Sequence, residues 1–206
     1  MAATSQSFFQ VRFDWGLEGL ARLAPADIVV IVDVLGLGTD ATGAVADGRP
    51  FALDSAVSEP VAALARAAAA SGALVLAGCL RNPTAVARAV LAEQHRRGVR
   101  VSVSVLAAGE VSDSGALRVA VEDQLGAGAV VDALAAVGLD HSSPEAAVAG
   151  IAFGGLRGAL RHLLLASSSG QELVARGLAD YVRSAAALEA ADAVAVLQDG
   201  VFIPRS

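Results

Sequence analysis

Between Ala26 and Leu35 the chain reads ADIVVIVDVL, an almost uninterrupted run of apolar and mostly β-branched residues. Such a run is typical of a central strand in a parallel sheet, because that strand is covered on both faces and needs no alternation of polar residues. A glycine-containing loop follows, from Gly36 to Asp40. The stretch therefore predicts a buried strand that ends in a loop.

Further strands and helices are predicted to alternate along the chain after this strand. Proline at a first helical turn and a serine three residues before a glutamate both indicate helix starts. An Asp-Gly pair between two apolar runs indicates a hairpin. The predicted elements are strands at Ala73–Ala77 and Arg100–Ala107, helices at Pro60–Ala70, Asn82–Arg97 and Leu117–Val137, helix starts at Ser142 and Ser169, and a closing hairpin around Asp199-Gly200.

This alternation indicates an α/β fold with helices on both faces of a sheet. The closing hairpin adds antiparallel strands, so we expect a three-layer α/β/α sandwich with a mixed sheet. No repeat and no long linker divides the chain, and residues 1–206 are expected to form a single domain.

The composition favours a compact enzyme over several other classes of protein. Hydrophobic residues make up 55% of the chain and charged residues 17%, which is enough to form a large core. The formal net charge of −6 leaves no basic face for the phosphates of nucleic acid. A chain this apolar is expected to bury part of its apolar surface against other copies of itself, so we expect a homo-oligomer.

Localisation is expected to be cytoplasmic, without a membrane as partner. The apolar stretches are interrupted by acids such as Asp33 and Asp132, which breaks the roughly 20-residue run needed to span a bilayer. Residues 1–10 lack the features of a secretory signal. The chain has one cysteine, Cys79, which cannot form an internal disulfide and is expected to be a small core residue.

Asp33 is the first candidate functional residue. A carboxylate inside an apolar strand costs several kcal/mol unless it is paired or binds a cation, and a divalent metal is a natural partner. Alternatively, Asp33 caps the backbone amides of the following loop. Because ligands of open α/β sheets bind beyond the carboxyl ends of the strands, its position favours a site there.

Glu122 and Asp123 are the next candidates, adjacent acids on the helix predicted at Leu117–Val137. Asp123 shares a stripe with apolar residues, so it is expected on the buried side, where an acid indicates a ligand or an ion pair. The alternative is a solvated acid pair near the helix start. Together with Asp33, these acids are predicted to be catalytic and to bind a divalent metal ion.

Arg81 and Asn82 are predicted to bind substrate at a helix start. Free amides and the helix dipole attract anions there, and a guanidinium can hold a phosphate by two hydrogen bonds. A plain N-cap role for Asn82 is the alternative.

A dinucleotide-binding motif is a separate possibility. Gly36-x-Gly38-x-x-Ala41 follows a strand, as in the glycine-rich fingerprint, and Asp54 lies at roughly the expected distance. The glycines and the proline that come next in the sequence are unfavourable in a helix, and a dinucleotide-binding fold needs a helix there.

Several motifs in order resemble the 2-phosphosulfolactate phosphatase (ComB) family. The resemblance spans nearly the whole chain. It rests on Phe13-Asp14-Trp15-Gly16, Asp33-Val34-Leu35 with Thr39, Leu80-Arg81-Asn82, Ala108-Gly109-Glu110, Leu117-Arg118, Val121-Glu122-Asp123, and Ser169-Gly170 with Glu172, Gly177 and Asp180.

The resemblance implies Mg²⁺-dependent hydrolysis of 2-phosphosulfolactate, or of a related small phosphorylated organic acid, to the hydroxy acid and phosphate. It adds Asp14 and Thr39 to the expected substrate-binding residues. After the Asp-Val-Leu segment, family members carry residues with hydroxyl or guanidinium groups, whereas this chain has Gly36 and Gly38. The central segment of this chain is also shorter than that of the family. A catalytically degenerate homologue that binds a ligand or a partner is therefore the alternative.

Overall fold

A mixed sheet of seven strands runs through the part of the chain that the structure describes. The structure, a computed structural model, describes residues 3–53, 57–112 and 114–205. The sheet order is β1-β5-β2-β4-β8-β9-β3, and a separate two-stranded hairpin is formed by β6 and β7. The strands are β1 (Val11–Trp15), β2 (Ile28–Val32), β3 (Phe51–Ala52), β4 (Leu74–Gly78), β5 (Val103–Ala107), β6 (Glu110–Val111), β7 (Leu117–Arg118), β8 (Ala195–Gln198) and β9 (Val201–Pro204).

Helices connect the strands, and short 3-10 turns lie at Ala3–Ser5 and Arg157–Ala159. The helices are α1 (Gly16–Arg22), α2 (Leu37–Ala46), α3 (Glu59–Ala70), α4 (Pro83–Arg97), α5 (Val121–Ala136), α6 (Pro144–Leu156), α7 (Leu160–Ala166), α8 (Ser168–Ala175) and α9 (Ala179–Ala185).

The sheet is parallel on one side and antiparallel on the other. β1, β5, β2 and β4 run parallel, with Val30 of β2 opposite Val105 of β5 and Leu76 of β4. β8 pairs antiparallel with β4, and β9 and β3 continue antiparallel. The mixed sheet predicted from the closing hairpin is confirmed.

Two apolar cores cover the two faces of the sheet. In β2, side chains point alternately to opposite faces. Ile28, Val30 and Val32 pack in one core with α4 to α7 and α9, whereas Val29 and Ile31 pack in the other with α2 and α3. All five residues are at most 1% exposed. The predicted three-layer α/β/α sandwich is thus confirmed.

Helix α5 lies unusually close to the sheet because of one glycine. A Cβ on Gly126 would lie 2.5 Å from Cγ2 of Val34 and 2.8 Å from Cγ1 of Val32. Only a residue without a side chain allows this approach. It brings the first turn of α5 to the carboxyl end of β2.

Several predicted boundaries were wrong. The helix expected over 117–137 begins only at Val121, because Leu117–Arg118 pairs with Glu110–Val111 in a hairpin. The two predicted capping serines are also displaced. The hydroxyl oxygen of Ser143, not Ser142, accepts from the Ala146 amide, and that of Ser167, not Ser169, accepts from the Gly170 amide.

Among the residues that the structure describes, one segment is long and apolar enough to cross a membrane by length and composition, Pro144–Ala166, with a mean hydropathy of 1.2. A single segment of this kind is weak evidence, because core helices of soluble proteins pass the same criterion. Of the most apolar 18-residue stretch in this segment, 22% is buried inside the protein, and the side chains of Val148 and Ile151 are exposed.

Gly126→Ala should destabilise the protein, because the new methyl group would overlap two valine side chains of the core. We expect the free energy of unfolding to fall by about 1–3 kcal/mol, the usual cost of overpacking. Denaturant unfolding measures this difference. Gly154→Ala is the matched control: it lies in α6, a Cβ there meets nothing within 4 Å, and alanine favours a helix by roughly 1 kcal/mol. Equal stability of the two variants would contradict the close approach of α5.

Candidate functional site

Acidic side chains gather where the parallel strands end. Asp33 follows β2, Glu110 follows β5, and Asp40 lies in the first turn of α2. These three acids line a cleft of about 490 Å³. Glu122 and Asp123, in the first turn of α5, lie close enough for the charge of Glu122 to act on Asp33 and that of Asp33 on Asp123. The three predicted acids are therefore brought together at the edge of the sheet.

Asp123 joins two strand ends to a helix start. Its Oδ1 accepts a hydrogen bond from the Val34 amide at 2.7 Å, and its Oδ2 accepts one from the Gly109 amide at 2.9 Å. The residue is 3% exposed. Burial, together with the charge of Asp33, raises the pKa of Asp123 well above its ordinary range. Asp123 thereby fixes the chain on both sides of the cleft.

The structure shows Asp33 as a cap and places it in the cleft, whereas its binding of a cation stays a prediction. Its Oδ2 accepts from the Leu37 amide at 2.8 Å and so caps α2, while the residue also lines the cleft. Burial, reinforced by the charges of Asp40, Glu122 and Glu110, raises the pKa of Asp33 to about 6. The carboxylate is therefore held where its negative charge is unfavourable.

Gly36 is required by the position of that carboxylate. A Cβ at this residue would lie 2.5 Å from Oδ2 of Asp33. The glycine therefore leaves space for the acid at the start of α2.

Glu122 is buried without a hydrogen-bond partner for one of its oxygens. The residue is 2% exposed, and its Oε2 has no partner among the described residues. A buried charged oxygen left unsatisfied costs several kcal/mol. Such an atom is a candidate donor for a ligand that the cleft would bind.

Asp40 forms a pair with Tyr181, the chain's one tyrosine. The Tyr181 hydroxyl donates to Oδ1 of Asp40 at 2.9 Å, and both residues line the cleft. Burial raises the pKa of Asp40, against the opposing effect of the hydrogen bond. Burial and the neighbouring Asp40 charge raise the pKa of Tyr181. The tyrosine therefore stays protonated and orients the carboxylate.

Two arginines supply positive charge near these acids. The Arg118 guanidinium donates to Oε2 of Glu110 through Nε at 3.0 Å and to Oγ of Ser169 through Nη2 at 3.0 Å. Arg176 lines the cleft and is exposed, and its guanidinium makes no hydrogen bond or ion pair with the residues that the structure describes. Arg176 is thus available to an anionic ligand.

The structure does not bring Arg81 and Asn82 to the cleft. Nη1 of Arg81 donates to the Ser184 carbonyl at 3.0 Å, which fixes the side chain against α9. Asn82 is fully buried; its Oδ1 accepts from the Cys79 amide, and its Nδ2 donates to Oγ1 of Thr42. Substrate binding at the cleft by these side chains is not supported, because neither residue lines it. Asn82 is held by internal hydrogen bonds, whereas Nε of Arg81 is buried without a partner among the described residues. Cys79 is buried, as expected.

Thr39 and Asp14 also have internal partners. The Thr39 hydroxyl donates to the Val34 carbonyl at 2.7 Å and is buried. Asp14 accepts two hydrogen bonds from Arg22, at 2.8 and 3.1 Å. Neither residue lines the acidic cleft, so the predicted contacts with substrate are not supported.

The dinucleotide interpretation is disfavoured by charge. In that motif the helix start after the strand holds a pyrophosphate. Here the Asp33 carboxylate already accepts from the Leu37 amide at that start, and its charge would repel a phosphate. Asp54, the proposed ribose ligand, lies outside the described residues.

The site offers carboxylate donors for a divalent cation, although the described residues do not form a complete set of metal ligands. No group of three or more His, Cys, Asp or Glu side chains among residues 3–53, 57–112 and 114–205 is arranged to hold a metal ion. Mg²⁺, however, is usually bound by one or two carboxylates, with water and substrate phosphate completing its shell. The carboxylates available for such a site are Asp33, which lines the cleft, and Glu122, whose Oε2 has no partner among the described residues.

Sequence reasoning missed Asp40, Tyr181 and Arg176 as site residues. Asp40 could have been found, because it lies in the first turn after the strand that carries Asp33. Tyr181 and Arg176 come from α9 and from the end of α8, far along the chain. No local pattern indicates that these elements close the cleft.

Asp33→Asn should change how stability depends on pH in the metal-free protein. A folded-state pKa near 6, above the ordinary value of 3.8, means that wild-type stability is full below about pH 4 and falls as pH rises through 6. The neutral amide can still accept from Leu37 but carries no charge. We expect its melting temperature at pH 7.5 to exceed that of the wild type by roughly 2–4 °C per kcal/mol relieved.

Melting curves at pH 4.5 and pH 7.5 test this expectation, with Asp47→Asn, an exposed acid paired with Arg49, as the control. A variant less stable than the wild type at pH 7.5 would show that Asp33 is not under electrostatic strain.

Comparison with known proteins identifies one family. A sequence model of 2-phosphosulpholactate phosphatase matches residues 60–200, more than half of the chain. The matched region contains Glu110, Glu122, Asp123 and Tyr181 but begins after Asp33 and Asp40. No curated protein matches the chain significantly.

Proposed function

The chain belongs to the 2-phosphosulpholactate phosphatase family, and from that membership we propose that it is a Mg²⁺-dependent phosphatase. Its substrate would be 2-phosphosulfolactate or a related phosphorylated hydroxy acid, released as the hydroxy acid and phosphate. Family membership supports the phosphatase-like function and suggests the substrate, whereas the acids of the site suggest the cation.

The observation that carries this proposal is the unbalanced negative charge at the cleft. Asp33, Asp40 and Glu110 line it, of which Glu110 is paired with Arg118, and the buried Glu122 has an unpartnered oxygen. A phosphate monoester would be repelled by these acids. A divalent cation between acids and phosphate removes the repulsion, and it satisfies the buried oxygen at the same time.

Each residue of the site has a distinct proposed role. Asp33 and Glu122 would hold Mg²⁺, and Asp123 is a positioning residue because both of its oxygens accept from backbone amides. When bound, the cation would supply charge stabilisation to the phosphoryl group. Arg176 would bind a phosphate oxygen. Asp40, oriented by Tyr181, would take or return a proton at the attacking water or the leaving oxygen.

Ligand binding without turnover is the second candidate. It is favoured by the absence of a three-ligand metal group in the described part of the chain and by the internal roles of Arg81 and Asn82. A homologue of this kind would bind a phosphorylated acid in the cleft and leave the ester intact. Phosphate release therefore separates the two functions.

Asp33→Asn should abolish Mg²⁺-dependent phosphatase activity. We expect kcat/KM on phosphorylated 2-hydroxy acids to fall by roughly 10²- to 10³-fold, the order seen when a group that stabilises transition-state charge is lost. Release of inorganic phosphate measures the rate, with chelator as the blank and Asp47→Asn as the control. Equal activity of Asp33→Asn and wild type would contradict the assignment. Phosphate release by neither protein would favour ligand binding.

Glu122→Gln should weaken Mg²⁺ binding without loss of the fold. The substitution removes the buried charge but keeps the shape, so the metal-free protein should be at least as stable as the wild type. The Mg²⁺ concentration that gives half of the thermal stabilisation should rise by about tenfold or more, as when a cation loses a carboxylate. Glu145→Gln, an exposed acid at the start of α6, is the control. An unchanged Mg²⁺ midpoint would exclude Glu122 as a ligand.

A further inference from the structure

A second cavity lies directly beside the acidic cleft. Its volume is about 410 Å³, within the range of small-molecule sites. Val61 of α3 lines both cavities. The chain that leaves β5 borders both as well, since Ala108 and Val111 line the second cavity whereas Gly109 and Glu110 line the cleft. We refer to the second cavity as the side pocket.

The side pocket is mainly apolar. Trp15, Leu17, Leu64, Val111 and Leu117 contribute to its lining. Leu17 is 48% exposed, Val111 43% and Leu117 41%, so its rim leaves apolar surface in water. Exposed apolar side chains grouped around a cavity are typical of a binding site.

The positive charge that lines the side pocket, among the described residues, is already paired with an acid. Arg22 and Glu18 are the charged side chains among its described lining residues. The Arg22 guanidinium is held by Asp14 through Nε at 2.8 Å and Nη2 at 3.1 Å. A sulfonate in the pocket would lose its hydration without gaining a free guanidinium, which is unfavourable. An apolar group has no such hydration to lose, and it would cover the apolar side chains of the rim.

We infer that the side pocket binds an apolar substituent of the ligand whose phosphate lies in the acidic cleft. The preferred substrates are then phosphate monoesters of hydroxy acids with a hydrophobic side chain, in place of a sulfonate. This inference rests on the proposed function for the position of the phosphate. The apolar lining and the pairing of Arg22 with Asp14 support the apolar character of the substituent.

The single tryptophan of the chain reports occupancy of the side pocket directly, because it is Trp15. Titration with 3-phenyllactate, which carries no phosphate, should shift the Trp15 emission to shorter wavelength in a saturable manner. Lactate and 3-sulfolactate should bind at least about tenfold more weakly, as expected for the loss of a buried apolar group. Tighter binding of 3-sulfolactate than of 3-phenyllactate would overturn the inference.

Leu17→Arg tests the position of the binding site. Leu17 is half exposed on α1, so arginine there is compatible with the fold, and it places a charge at the rim. We expect binding of 3-phenyllactate to weaken by about tenfold or more. Val99→Arg, an exposed residue that lines neither cavity, should leave it unchanged. Equal affinity of Leu17→Arg and wild type, with unchanged melting temperatures, would overturn the inference.

Phosphate release from the 2-phospho derivatives of 3-phenyllactate and 3-sulfolactate, measured with Mg²⁺, separates this inference from the proposed function. A kcat/KM at least about tenfold higher for the phenyl compound supports both. A preference for the sulfonate supports the phosphatase and overturns the side-pocket assignment. Release from neither ester, with 3-phenyllactate still bound near Trp15, overturns the phosphatase and leaves the pocket assignment in place.

Discussion

The two hydrogen bonds that Asp123 accepts are the interaction on which the site depends. One comes from the chain leaving β2, at Val34, and the other from the chain leaving β5, at Gly109. With these bonds, the first turn of α5 fixes the two strand ends that border the cleft. Gly126 makes the arrangement possible, because it lets α5 approach the sheet closely enough for Asp123 to reach both amides.

This arrangement concentrates negative charge at the expense of stability. Burial raises the pKa values of Asp33, Asp40 and Asp123, and repulsion from neighbouring acids adds to the effect at Asp33 and Asp123. One oxygen of Glu122 has no partner in the described structure. The two apolar cores on either side of the sheet offset that cost. Acids whose pKa values are raised together in a cleft are typical of functional sites, since a bound cation or proton relieves them.

The fold and part of the site could be predicted from the sequence, because each depends on local patterns. The continuous apolar run of β2 and the Asp-Gly hairpin gave the sheet, and acids on apolar elements gave Asp33, Glu122 and Asp123. The β6–β7 hairpin was missed because two-residue strands carry little periodicity. Tyr181 was missed because it meets Asp40 from 141 residues away, through packing that no local pattern encodes. Asn82 was misassigned because an amide at a helix start suits an internal network as well as a ligand.

Proton release on Mg²⁺ binding tests the central claim most directly, namely that the acids at the sheet edge bind a cation. Calorimetric titration in two buffers of different ionisation enthalpy measures the number of protons released. Because burial raises the pKa of Asp33 to about 6, Mg²⁺ binding should displace more protons at pH 6 than at pH 8. Binding without any proton release at pH 6, or no binding at either pH, would contradict the account.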